Sequence, residues 1–367
     1  MKTITIVSNN FWTVYKFRLD VISMLLDSGY HINIIAGKDS YIDKFKNLNI
    51  ILSPVTINER GMNFFQEICT FMEIYRNLRK NKPSLVFNFT LKANIYSGLA
   101  CRILNLKYIS MITGLGYIFV RGNILIRYLV SIFLSISLKK SSEVWFTNKF
   151  DESSYKNRNI ITSQLTRIVP GAGAVFDQNE TIFVYNKRTF TFVMIARLLK
   201  EKGVSEYIEA AEYYRNNKNM KFILLGSHKS DKNYISKRIL QVAIDTNAIE
   251  YYDYQEDITA YLKKCTCIVQ PSYREGLSTI LLEASALRKP IITTKVPGCI
   301  DIIPDESYGT LCEPADTRSL IKSINRFTML SEDTLAAQTS KTYDYVKKNY
   351  NRSQILDLYK KSLKYII

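Results

Sequence analysis

Histidine is nearly missing from this chain: His31 and His228 are the two copies in 367 residues. That scarcity leaves no Ser/His/Asp set for hydrolytic chemistry and no imidazoles at zinc spacing. His31 opens a strand and reads as structural, whereas His228 follows Ser227 in a loop. The six cysteines build no framework, because Cys265 and Cys267 alternate along one apolar segment (CTCIVQ) and no second pair stands at metal spacing. Reduced, apolar thiols are expected. No Asp-x-Asp follows a strand, so no bound metal and no cofactor is expected. Long apolar runs are absent too. The longest, YLVSIFLSISL from Tyr128 to Leu138, is about half of what a bilayer span needs. The chain opens directly on a strand (TITIVS) without a signal-peptide pattern. It is expected in the cytoplasm, lying on a membrane but not crossing one.

Acidic residues are the next shortage, 33 against 50 lysines and arginines, a net charge of +17. The imbalance is uneven: 22 basic and 10 acidic residues fall in the first 175, a net of +12, which leaves +5 for the rest. A basic half implies an anionic partner. The lysines are scattered, with neither an arginine-rich run nor an aromatic RNA-binding signature, which argues against nucleic acid. With 25 tyrosines and 18 phenylalanines, an anionic membrane surface fits better, since aromatic rings tolerate that interface. The apolar stretch Asn123–Leu138, flanked by Arg121, Arg127, Lys139 and Lys140, reads first as a buried helix and second as a membrane-surface one.

A chain of this length exceeds what one core usually organises, so two domains are the default. Short β-branched runs alternate with amphipathic stretches in both halves. TITIVS, HINIIA, SLVFNF, KYISMI and EVWFT mark the first; FTFVMIA, KFILLG, TCIVQP and PIITT mark the second. Alternation of this kind predicts βαβ units on parallel sheets. The seam is VPGAGAVFDQNETIFVYNKR, with no clean period. The expected domains are 1–175 and 189–350, followed by a helix over 351–367. Ligands of such sheets bind outside the carboxyl ends of the strands, so the loops there hold the candidates.

In the second half those loops supply Arg197 and Lys202, then Gly226 with Ser227, then PSYREGLS, then Gly298. Two cations, close-approach glycines and a helix start suit a diphosphate, because helix N-termini bind oxyanions and Arg offers a planar fork. Ser278 and Thr279 fit equally as helix caps. The stretch REGLSTILLEASALRKPIITT carries Glu275 before the helix and Glu283 seven intervening residues later. If a nucleotide diphosphate lies across the helix start, Glu283 can accept the ribose hydroxyls and Glu275 faces the transferred sugar. In the first half, Lys92 follows SLVFNFT at a helix start, where a cation opposes the helix dipole. A phosphate of the second substrate would offset that.

The segments VPGAGAVFD, ARLLKEKG, DYQEDITAYL, PSYREGLSTILLEASALRKPIITTKVPG and GTLCEPAD resemble, in order, the C-terminal signature of the retaining glycosyltransferases of family 4. FTLKANIYSGLACRI and TGLGYIF resemble the bacterial branch that builds capsule, O-antigen and lipid-linked oligosaccharides. The resemblance implies an α/β GT-B fold: two Rossmann-like domains facing a cleft, with a C-terminal helix returning to the first. It implies transfer from a UDP-sugar to a lipid-diphosphate-linked saccharide with retention. By the same likeness Arg197, Lys202 and Glu275 serve catalysis. Gly226, Ser227, Gly276, Leu277, Ser278, Thr279, Glu283 and Gly298 hold the donor, and Lys92, Asn94, Asn10 and Arg18 meet the acceptor. The chain departs from the family at Tyr251-Tyr252-Asp253, and at SNNFWTVYKFR in place of a glycine pair. Rival readings are an epimerase on the same fold, which needs an acid/base set not found here, and a non-catalytic donor-binding subunit of a glycan assembly.

Overall fold

The computed structural model describes residues 2–58, 63–114, 123–176, 189–229 and 231–367. It divides into two compact units, 1–172 with 353–367, and 173–352. The linker residues 177–188, Arg121 and most of TGLGYIF lie outside the described residues.

The N-terminal unit is built on seven parallel strands: β1 (Thr3–Ser8), β2 (His31–Gly37), β3 (Ile50–Val55), β4 (Leu85–Phe89), β5 (Tyr108–Ile112), β6 (Glu143–Phe146) and β7 (Thr166–Ile168). Their order in the sheet is β3-β2-β1-β4-β5-β6-β7. Between them run α1 (Phe11–Asp27), α2 (Phe64–Asn81), α3 (Leu91–Ile103), α4 (Ile124–Leu138) and α5 (Lys149–Asn157). Every pairing is in parallel register, with Ile4 opposite both Ile32 and Leu85. The interior strands are buried on both faces and so read as near-continuous apolar runs. On one face α3 packs between α2 and α4. The order reverses between β1 and β4, which is where such a sheet offers its binding crevice.

The C-terminal unit repeats the plan with β8 (Phe190–Ile195), β9 (Met220–Leu225), β10 (Glu250–Tyr252), β11 (Cys267–Gln270), β12 (Ile291–Thr294) and β13 (Thr310–Cys312). Their order is β10-β9-β8-β11-β12-β13, again all parallel, and it reverses between β8 and β11. Its helices are α6 (Val204–Tyr214), α7 (Lys237–Asp245), α8 (Thr259–Lys264), α9 (Thr279–Ala286), α10 (Thr317–Thr328) and α11 (Glu332–Tyr350).

The last helix, α12 (Arg352–Ile366), belongs to the N-terminal unit beyond its first residue. Ile355, Tyr359 and Leu363 enter that unit's core, and the Tyr359 ring stands edge-on to Trp145 at 4.7 Å. Ser362 donates to Glu143 at 2.8 Å. Glu143 also receives Trp145 Nε1 at 2.5 Å and both Nε and Nη2 of Arg167 at 3.0 and 2.9 Å. Burial pushes that carboxyl upward, but the hydrogen bonds from Arg167, Trp145 and Ser362 outweigh it and hold Glu143 below the ordinary glutamate range.

The expectation of a buried helix over Asn123–Leu138 is corrected. Leu134 and Leu138 do enter the core, but the opposite face of α4 is exposed along its length. Ile124, Tyr128, Ile132 and Ile136 form one open row at four-residue spacing; Leu125, Leu129 and Phe133 form the row beside it. Among the described residues no helix is long and apolar enough to cross a membrane.

Candidate active site

In the C-terminal unit the loops that follow β8, β9, β11 and β12 are drawn together by close backbone contacts. Gly226, just past β9, has φ +151°, and a Cβ there would stand 1.7 Å from the Ala196 carbonyl oxygen at the end of β8. Gly298, past β12, has φ +82°, and its Cβ would meet the Glu275 carbonyl at 2.6 Å. Neither position accepts a side chain without moving backbone. The Gly298 carbonyl accepts from Ser278 N at 3.2 Å, the Pro297 carbonyl accepts from Glu275 N at 3.3 Å, and Asp301 holds Gly298 N at 2.8 Å. These bonds fix the entry to α9 against the loop after β12.

Within that frame Lys202 and Glu275 meet. Lys202 Nζ lies 2.7 and 2.6 Å from the two Glu275 oxygens, and the side chains are 18% and 10% exposed. Ser272 donates to the same carboxylate at 2.7 Å and receives Gln270 Nε2 at 2.9 Å. Lys202 from the loop after β8, Ser272 and Glu275 from the loop after β11, and Gln270 at the end of β11 thus form one chain of hydrogen bonds at the strand-order reversal. A diphosphate placed here competes with Glu275 for the lysine charge, and a sugar hydroxyl competes with the lysine for Glu275. Arg197, two residues past the end of β8, is exposed.

At the start of α9, Ser278 is buried in the N-cap position and makes no side-chain cap bond, while Thr279 begins the helix. Ser278 therefore does not act as a side-chain cap, and helix-start N–H groups of this kind suit an anion. Gly276 and Leu277 are half-buried on the approach, and Ser227, half-buried, passes its carbonyl to Leu198 N at 3.2 Å. Glu283 is exposed although Leu281, Leu282 and Ala284 around it are buried; it stands on the solvent side of an otherwise inward-facing helix. His228 is bonded to the Ile235 carbonyl at 2.8 Å. Cys299 lies near Glu275, but burial first, and then that carboxylate, push its thiol up to about 12, which removes it as a nucleophile. Ser272 and Gln270 went unnoticed in the sequence, although Ser272 stands inside PSYREG, three residues before Glu275.

The acceptor-side residues fare differently. Lys92 sits at the start of α3, after β4, paired with Glu67 at 2.5 Å; Tyr96 donates to the other Glu67 oxygen at 2.5 Å. Burial, and then Glu67, push the Tyr96 phenol well up. Asn10 caps α1 by accepting from Thr13 N at 2.8 Å. Two expectations are corrected. Asn94 is fully buried and gives its amide to the Met111 carbonyl at 2.9 Å. Arg18, 5% exposed, lies over the Phe89 ring at 4.4 Å and donates to the Phe17 carbonyl at 2.8 Å. Both face inward, so neither presents a surface to a substrate. At the β1/β4 reversal the sequence had pointed to neither Thr90 nor Asn9. Thr90 has φ +78°, a strained conformation for a β-branched residue, and its hydroxyl donates to Asn9 at 2.6 Å. Among the described residues no group of His, Cys, Asp and Glu is placed to hold a metal.

The chain that carries this arrangement has relatives among known proteins. The family described as "Glycosyl transferases group 1" matches residues 176–344, and "Glycosyl transferase 4-like" matches residues 3–148. The N,N'-diacetylbacillosaminyl-diphospho-undecaprenol alpha-1,3-N-acetylgalactosaminyltransferase of Campylobacter jejuni is 23% identical over 96% of each chain. The UDP-Gal:alpha-D-GlcNAc-diphosphoundecaprenol alpha-1,3-galactosyltransferase of Escherichia coli is 23% identical over 86% of this chain and 84% of that one. Among solved structures, the sucrose-phosphate synthase of Thermosynechococcus elongatus superposes with a TM-score of 0.81 at 16% identity, covering 100% of this chain and 99% of that one. Anabaena HepE in complex with UDP and glucose gives 0.76 at 13%, covering 99% and 100%. Both halves of the chain thus fall under glycosyltransferase families and both sheets follow one architecture: the chain belongs to the glycosyltransferases and has the GT-B fold.

Proposed function

We propose that this glycosyltransferase moves a hexose or N-acetylhexosamine from a UDP-sugar to an undecaprenyl-diphosphate-linked saccharide, with retention, during assembly of a bacterial surface polysaccharide. The carrying observation is the Lys202–Glu275–Ser272 network beside the uncapped start of α9. It supplies what a departing nucleotide diphosphate needs, cations and N–H groups fixed before the reaction, and such electrostatic preorganisation is usually the largest catalytic contribution. Arg197 and Lys202 bind the diphosphate, Glu283 takes the ribose, and Glu275 holds the donor sugar as the lysine turns to phosphate. The bond from the anomeric carbon to the diphosphate breaks, a bond to the acceptor oxygen forms, and the acceptor proton leaves with the diphosphate. No metal takes part in this reading. The relatives from C. jejuni and E. coli carry diphospho-undecaprenol in their names, and HepE binds UDP; these support the two substrate classes.

In the N-terminal unit the acceptor is met at the β1/β4 reversal, where Lys92 exchanges Glu67 for an acceptor phosphate. A polyprenyl acceptor stays in its bilayer, which places the enzyme on the cytoplasmic face of the cell membrane, where the basic excess of the first 175 residues faces anionic lipid. The test is incubation with a panel of UDP-sugars and synthetic undecaprenyl-diphosphate monosaccharides. Formation of a lipid-linked disaccharide with an unchanged anomeric configuration is expected. Transfer only to soluble acceptors, or release of free epimerised sugar, overturns the reading.

A further inference from the structure

We propose that the outer face of α4 is a membrane-inserting surface, seated at the boundary between headgroups and acyl chains of an anionic bilayer. The helix is apolar on both sides. Leu134 and Leu138 are fully buried, while Leu125 is 68% and Tyr128 66% exposed on the other side. A helix apolar all round is normally covered all round, and here half of it is open. Arg127 is its one charged residue, and it carries no acid. Fifteen residues make a rod of about 22 Å, shorter than the ~30 Å hydrocarbon core, so the helix lies along the surface.

Charge selects the occupant. Lys139 and Lys140 follow the helix end and are exposed, and Arg102 reaches the Ile136 carbonyl from α3. They make the C-terminal end of the stripe positive, within a half of the chain whose net charge is +12. Anionic lipid complements that field, whereas a second copy of the chain would bring the same cations against themselves. Because α4 follows β5, its start lies at the carboxyl edge of the sheet, the edge of the β1/β4 reversal, where Phe64 and Phe65 at the start of α2 are also exposed. Insertion thus lowers that edge onto the lipid. Only this last use rests on the proposed lipid-linked acceptor; the docking does not.

Insertion and adsorption separate by experiment. The full chain is co-sedimented with phosphatidylethanolamine/phosphatidylglycerol vesicles that hold no acceptor, as wild type, as Leu129→Ser/Phe133→Ser, and as Met329→Ser, a control on an exposed site elsewhere. Removing two inserted side chains is expected to lower partition by roughly 100-fold. Wild-type binding is expected to persist at 1 M salt, where screening confines charge effects to about 3 Å, and Met329→Ser is expected to bind like wild type. Leu125→Trp, followed by fluorescence, should shift to the blue and be quenched by brominated lipid, which a merely adsorbed helix would not show. Equal vesicle binding by the double variant overturns the proposal. So does an unquenched tryptophan, or a wild-type dimer that the double variant dissociates without change in vesicle binding. Vesicle binding without sugar transfer would instead fault the acceptor assignment and leave the docking surface intact.

Discussion

Breaking the Lys202–Glu275 pair tests the active site without any substrate. Each Lys202 Nζ–Glu275 contact is under 3 Å and the two side chains are mostly buried. At an effective dielectric near 20, unit charges ~4 Å apart attract by about 4 kcal/mol, and desolvation offsets a large part of that. Lys202→Met leaves a carboxylate supported by Ser272 alone; Glu275→Gln leaves a half-buried ammonium. Each should cost roughly 2–3 kcal/mol, because the surviving charge loses its partner. The double variant removes both charges together and should cost about as much as either single one, a coupling of ~2 kcal/mol. The C-terminal unit spans 173–352, a size at which 1 kcal/mol shifts the melting temperature by roughly 2–4 °C. The singles should therefore melt about 5–10 °C lower in a thermal scan of the full chain, with the double no lower than the worse single. Additive losses would mean that the two groups do not pair in the ligand-free protein, and the competition between diphosphate and Glu275 would lose its basis.

Glu283→Ala should weaken UDP binding by roughly 10–100-fold in calorimetry, the loss of a hydrogen bond to a charged group, while Glu275→Ala should mainly slow transfer; equal UDP affinity in wild type and Glu283→Ala removes the ribose assignment. Transfer should survive an excess of chelator, and a strict need for manganese or magnesium would displace the proposed electrostatics. Glu143, held below the ordinary glutamate range in the fold, stabilises the protein above its unfolded pKa of about 4.3 and ceases to do so as pH falls through its lower folded value. The melting-temperature gap between wild type and Glu143→Gln should thus narrow in acid, and a gap constant with pH would refute the role of the Arg167–Glu143–Ser362 cluster. An aromatic-disulfide thiol reagent should label Cys69 alone among the cysteines at neutral pH, because burial pushes Cys101, Cys265, Cys299 and Cys312 up to about 12 and Cys267 well above its ordinary value; rapid labelling of a second thiol contradicts this.

The strands legible in the sequence are those in the interior of each sheet: β1, β2, β4, β5 and β6, then β8, β9, β11 and β12. The four missed are the two edges of each sheet, β3, β7, β10 and β13. An interior strand of a parallel sheet is covered on both faces and reads as a continuous apolar run. An edge strand is shorter or half wet: β7, β10 and β13 have three residues each, and β3 carries Pro54, tolerable where no neighbour needs its N–H. The loops after the C-terminal unit's strands were equally legible, since strand ends are set by the runs themselves and Lys202, Glu275 and Gly298 lie beyond them. Direction was not legible. Asn94 and Lys92 are two residues apart on α3, and nothing in the local pattern says that one turns inward to Met111 and the other outward to Glu67. Glu67 itself comes from α2, across a sequence separation that no motif spans. For α4 the period was plain, but a helix apolar all round gives no contrast by which to choose its uncovered side.

The two units share a topology and equip its reversal point in different ways. Around β8 and β11 the backbone approaches so closely that Gly226 and Gly298 admit no side chain, and the Lys202–Glu275 ion pair there joins two residues that the proposed donor would separate. This is a rigid frame with an exchangeable contact, suited to a ligand of constant shape such as a nucleotide diphosphate. Around β1 and β4 the corresponding positions are Asn9 and a strained Thr90 tied to each other, with Lys92 held by Glu67 from the neighbouring α2, a carboxylate that Tyr96 of the same α3 also engages. Strain at a strand end persists only where surrounding structure maintains it, and here what maintains it is a side-chain bond between two exchangeable polar groups. An acceptor that varies in its sugar but always carries a phosphate would meet a constant lysine and an adjustable polar rim. Replacing Thr90 by glycine relieves the strain and removes the hydroxyl, so it should stabilise or leave unchanged the fold while raising the KM for acceptor and not for UDP-sugar; equal effects on both substrates would place Thr90 in the scaffold and leave Lys92 alone to recognise the acceptor.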